Sequence, residues 1–126
     1  MPEAYVDASV VVAVALGEPA ASTALRRLAG FDVLTSSPLL EAELRATLRR
    51  SAVRLDSALV DRIEWVLPRR TLTGEIERVL RAGYVRGADC FHLASALYVS
   101  PEPSARTFLT LDTRQRAVAK ALGFKT

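Results

Sequence analysis

One acidic residue, Asp7, interrupts a largely apolar run from Ala4 to Leu16. By propensity the valines at 10, 11, 12 and 14 favour a strand, so a first strand running past Asp7 competes with a break there. A carboxylate inside a continuous buried strand is costly. The preferred reading is therefore a short strand from Ala4 to Asp7, then a buried helix to Leu16, stopped by Gly17-Glu18-Pro19.

The remaining chain repeats this alternation. Pro19 to Ala29 reads as a second helix closed by Gly30, and Asp32 to Thr35 as a second strand. Ser37 and Pro38 open a helix in an N-cap and N1 arrangement, with Leu40, Leu44 and Leu48 forming its apolar stripe. Asp56 is expected to cap a further helix holding Leu59, Ile63 and Val66 or Leu67, ended by Pro68. Arg70 to Thr73 is a candidate third strand. Ile76, Val79 and Leu80 mark a helix that stops near Gly83, and another starts at Gly87-Ala88-Asp89. Pro101 to Pro103 is a loop, Thr107 to Leu111 a strand and Thr113 to Leu122 a helix, with a short last strand at Phe124-Lys125. This order predicts an α/β fold, a three-layer α/β/α sandwich around a mainly parallel sheet, with residues 1–126 forming a single domain.

Composition narrows the setting. A lone cysteine, Cys90, leaves no partner for an intramolecular disulfide and favours a reducing compartment; Cys90 reads as a small core residue. No signal peptide is expected ahead of the first strand, and Ala8 to Leu16 is too short to span a bilayer. The expected location is cytoplasmic, with no membrane association. Basic residues number 17 against 14 acidic ones, and only Lys120 and Lys125 are lysines. Guanidinium groups suit phosphate recognition, yet the same Arg- and Ala-rich composition follows from a GC-rich genome, so charge permits an RNA partner without establishing one.

Position makes four acids informative. In open parallel sheets, sites collect where strands end and the next helices begin. Asp7 and Asp112 close strands, Asp89 opens a helix, and Glu43 lies in the first turns of the helix starting at Pro38. Glu43 sits at the border of the leucine stripe; Glu41, about 200° around the helix from it, cannot face the same site. An aspartate at a helix start is commonly a cap, so Asp89 or Asp112 alone says little. Four converging carboxylates would repel one another, and a hard divalent cation, Mg²⁺ or Mn²⁺, relieves that conflict with oxygen ligands alone. One histidine and one cysteine are too few for structural zinc. His92, three residues after Asp89, shares a similar helix face, although a packed, hydrogen-bonded histidine is its expected role.

Taken in order, YVDASVVVAVALGEP, SSPLLEAELRATLRR, GADCFHLASAL and FLTLDTRQRAVAKALGFKT resemble the PIN domain, and within it the VapC toxins of toxin–antitoxin pairs. The resemblance covers nearly the whole chain. It implies that Asp7, Glu43, Asp89 and Asp112 form an acidic metal site, that RNA is the substrate, and that an antitoxin protein is a partner; catalysis by these acids through metal-activated water and a homodimer are the further expectations. Thr110 and Ser9 match small polar positions of the family, for which a turn or cap role is equally open. Arg45, Arg49, Arg86, Arg114 and Arg116 are candidate phosphate contacts, with a solvated helix face as the plain alternative. The apolar first helix and Leu59 to Leu67 are either partner surfaces or core. The competing function is a PIN fold that binds RNA or protein without cutting. Aspartyl phosphoryl transfer fits poorly: Asp7-Ala8-Ser9 lacks a second aspartate, and no phosphate-binding glycine loop is present.

Overall fold

The computed structural model describes residues 2–126. Four short strands, β1 (Glu3–Val6), β2 (Val33–Ser36), β3 (Ile63–Trp65) and β4 (Thr107–Leu109), form one parallel sheet in the order β3-β2-β1-β4. Seven helices lie between and after them: α1 (Ala8–Leu16), α2 (Ala21–Ala29), α3 (Pro38–Arg50), α4 (Ala58–Asp61), α5 (Thr73–Ala82), α6 (Gly87–Val99) and α7 (Thr113–Leu122). Period-two alternation divides the core. Ala4 and Val6 of β1 and Leu109 of β4 pack with Val10, Leu34, Leu40 and Leu44, whereas Tyr5 and Phe108 pack with Val79, Leu93, Leu97 and Val118. Helices α1 to α4 cover one face and α5 to α7 the other, which makes the expected three-layer sandwich.

At the strands' amino ends, one buried cation ties the sheet together. Arg106, 7% exposed, donates from Nε to Ser100 Oγ, from Nη1 to Thr35 Oγ1 and from Nη2 to Glu3 Oε2, each at 3.0 Å. It thereby joins the starts of β1 and β4 to β2 and to the residue after α6. The tail closes the outer edge of β4: Phe108 N donates to Lys125 O at 2.8 Å, so the expected last strand is a single parallel bridge between Thr107 and Lys125.

Asp7 ends β1 as expected and caps α1, its Oδ2 accepting from Ser9 N at 2.9 Å. Gly17, in the left-handed region at φ 64°, ends that helix. Ser37 caps α3 through Leu39 N. The segment from Asp56 to Leu67 differs from expectation. The residue at the cap position is Ser57 rather than Asp56, although Asp56 Oδ1 accepts from Ala58 N at 3.1 Å, and the helix lasts only to Asp61. Ile63 to Trp65 then pairs with β2 as the third strand, and Arg70 to Thr73 is not a strand. The β-branched and aromatic run Ile63-Glu64-Trp65-Val66 suits a pleated edge better than another helical turn, and pairing with β2 satisfies its backbone. Of that stretch Ile63 and Val66 are core, while Leu67 is exposed.

Arg106→Ala leaves Glu3, Thr35 and Ser100 without their donor in a largely dry place, and is expected to lower unfolding free energy by about 3 kcal/mol. Glu3→Gln, at a half-exposed carboxylate, should cost less than about 1 kcal/mol. Urea unfolding of the two variants compares them; equal losses would contradict the assignment of the load to the arginine.

Candidate active site

Connections from β1 through β2 to β3 run over one face of the sheet, and the connection from β3 to β4 runs over the other. The sheet therefore has a switch point between β1 and β4, and a crevice opens at their carboxyl ends. Asp7 stands in that crevice. It is 5% exposed, its N donates to Leu109 O of β4 at 2.9 Å, and its Oδ1 accepts from Gln115 Nε2 at 3.1 Å. Gln115 is fully buried. Its Oε1 accepts from Thr110 Oγ1 at 2.6 Å, and Nε2 also reaches Asp89 O at 3.3 Å. Thr110 Oγ1 lies 3.3 Å from Ser9 Oγ and accepts from Asp112 N at 3.0 Å. Ser9 and Thr110 thus act within the loops that carry Asp7 and Asp112.

Glu43 is brought in by a second relay. Its Oε1 lies 2.7 Å from His92 Nε2, whose ring is fully buried and 3.8 Å from Asp7 Oδ1. His92 Nδ1 is 2.8 Å from the Tyr5 hydroxyl, which accepts from Ser37 N at 3.0 Å. A carboxylate oxygen accepts, so the imidazole presents an Nε2–H to Glu43. Burial pushes the Tyr5 phenol far above its ordinary range, so it keeps its proton. Glu41, on the outer side of α3, pairs instead with Arg45 at 3.0 Å.

Asp89 stands in the first turn of α6, and Asp112 is the N-cap of α7. Both line a polar cavity of 530 Å³ with Tyr84, Arg86 and Arg114. Asp112 caps α7, its Oδ1 accepting from Gln115 N at 2.7 Å. Burial first, and then the charges of Asp7, Asp112 and Glu43, hold the Asp89 carboxyl above its ordinary value of 3.8; His92 acts in the opposite sense. Arg86 and Arg114 are the predicted arginines that face this space. Arg45 and Arg49 border a separate cleft beside Leu48 and Val53, and Arg116 is engaged with Thr110 O at 2.7 Å.

The PIN domain family matches residues 4–121. The chain belongs to that family. Among curated proteins, Ribonuclease VapC45 of Mycobacterium tuberculosis (strain CDC 1551 / Oshkosh) is 38% identical over 112 residues, covering 79% of this chain and 78% of the relative. Ribonuclease VapC49 of strain ATCC 25618 / H37Rv matches with the same figures. No solved structure matches significantly. Among the described residues, no helix of this PIN-domain chain is long and apolar enough to cross a membrane.

A divalent cation suits the chemistry of this donor set, whose charged groups are carboxylate oxygens. Among the described residues, no three acidic, histidine or cysteine side chains are already clustered tightly enough to hold an ion. Asp89 and Asp112 share one polar cavity, and Asp7 and Glu43 meet at His92.

Sequence reasoning missed Gln115 and the full part of His92. Asp112-Thr113-Arg114-Gln115 has the spacing of a capping box, in which the last side chain returns to the cap's own N–H. Here Thr110 Oγ1 takes that N–H, and Gln115 is released toward Asp7. His92 is packed and hydrogen-bonded as expected, and that same packing holds Glu43.

With its pKa raised, Asp89 contributes stability only at low pH, and that contribution is lost as pH rises above 3.8 through the folded-state value. Without added metal, Asp89→Asn should melt above the wild type at pH 7, the gap closing as pH falls toward 3.8. A variant melting below wild type at pH 7 would contradict this electrostatic picture; thermal melts across pH decide.

Proposed function

We propose that this protein is a Mg²⁺- or Mn²⁺-dependent ribonuclease, the toxin of a toxin–antitoxin pair, in which Asp7, Glu43, Asp89 and Asp112 form the metal-binding catalytic centre. What supports this reading is the pairing of Asp89 with Asp112 on one polar cavity and of Asp7 with Glu43 about His92, in a chain related to proteins named ribonucleases. When bound, the cation would supply an activated water and neutralise charge developing on the phosphate.

The protein's own groups divide the remaining work. Gln115 and Ser9 fix both oxygens of Asp7. His92, held by Tyr5, fixes Glu43. Asp89 and Asp112 face the open cavity where an RNA phosphate can approach, and Arg86 and Arg114 offset the phosphate charge beside them. The reading extends to a single-domain, cytoplasmic protein that forms a homodimer and is restrained by a cognate antitoxin.

The test mixes purified protein, freed of antitoxin, with labelled structured RNAs in Mg²⁺, in Mn²⁺ and in chelator. Defined cuts should require metal and fall by more than about a hundredfold in Asp7→Asn and Asp89→Asn. His92→Gln, which releases Glu43 and leaves every carboxylate in place, should cost about 10–100-fold. Arg86→Ala should weaken RNA binding. RNA binding without cleavage, equal in wild type and variants, would identify the non-cutting module.

A further inference from the structure

Beside the acidic cavity lies a second space of different chemistry. It is an apolar cleft of 340 Å³ between α5 and α6, walled by Ile76, Leu80, Val85 and Phe91, and its size falls in the range of about 300–1,000 Å³ found for small-molecule sites. Tyr84 borders both spaces. Tyr84 is 68% exposed and is continuous with the apolar cleft that it borders.

The backbone around Tyr84 explains why it is held out. A Cβ placed on Gly83 would come within 2.9 Å of Val118 Cγ2, so only glycine lets the chain lie this close to α7. On the other side Val85 is buried at 3% exposure. Pinned before and after, the extended turn sends Val85 inward and Tyr84 outward. The backbone at Tyr84 is thus positioned by the fold before anything binds, which lowers the entropy lost on contact.

Resting on the ribonuclease reading, we propose that Tyr84 stacks on an unpaired nucleobase next to the scissile phosphate, with the base seated at the mouth of the apolar cleft. A nucleotide joins a flat apolar base to a phosphate through a ribose, and this surface joins an apolar cleft to Arg86 and Arg114 through one aromatic ring. An apolar protein segment would be served by the cleft alone and gains nothing from the flanking arginines and carboxylates. A base inside a duplex offers no free face, so the site selects single-stranded RNA or loops.

The probe is whichever RNA of the labelled panel the wild type cuts best, together with the same RNA carrying abasic ribose at the nucleotides flanking the cut. Tyr84→Ala should raise KM about tenfold with kcat little changed, while Tyr84→Phe and Tyr84→Trp stay near wild type. Wild type should prefer the base-bearing RNA over the abasic one by about the same factor, and Tyr84→Ala should lose that preference. Unchanged kinetics in Tyr84→Ala would overturn the proposal, as would an equal loss on both RNAs. An unchanged KM combined with weakened self-association or antitoxin binding would mark Tyr84 as a protein contact and overturn it as well. Wild type that cuts no RNA at all would overturn the ribonuclease reading and this one together; the other outcomes leave the ribonuclease reading standing.

Discussion

A carboxylate can be buried only where donors and fixed dipoles replace the water it loses, and around Asp7 nearly everything in the crevice serves that need. The amino terminus of α1 presents Ser9 N to one oxygen, and Gln115 presents its amide to the other. Gln115 can do so because Thr110 occupies its carbonyl and the start of α7 fixes its backbone. Since Thr110 follows β4 and Ser9 follows β1, supporting one acid also locks the two strand ends that form the crevice. Arg106 performs the matching task at the far end of the same strands.

From this follows a division between rigid and open halves of the site. Asp7 and Glu43 are oriented by fully buried partners: Gln115 for the first, and His92 backed by Tyr5 for the second. Asp89 and Asp112 instead face the polar cavity and share it with two arginines. The first pair is suited to fixing a position, and the second to meeting a charged ligand from solvent. Three helix amino termini, those of α1, α6 and α7, contribute positive ends beneath three of the acids.

Much of this was legible in the sequence because it rests on local rules. Asp7 breaking an apolar run, Ser37-Pro38 opening a helix and leucines at 40, 44 and 48 are short-range signals, and each has its expected place. The choice of Glu43 over Glu41 needed only the angle between them on one helix. Failures came where distant partners decide. Ile63 to Trp65 is a strand because β2 offers it an edge, which no property of residues 56–67 reveals. Gln115 stands out by no local signal, because its partner Asp7 is 108 positions away. Gly83 reads in the sequence only as a helix stop and Tyr84 carries no signal, since their arrangement depends on Val118 of a helix that comes later in the chain.

The central claim is that the acids gathered around Asp7 form a cation site, and calorimetric titration of Mn²⁺ into the RNA-free protein addresses it most directly. The account predicts saturable binding to the wild type that is lost in Asp7→Asn, with the far-ultraviolet circular dichroism of the two proteins superimposable. Mn²⁺ binding of equal affinity in both proteins, or none in a folded wild type, would contradict it.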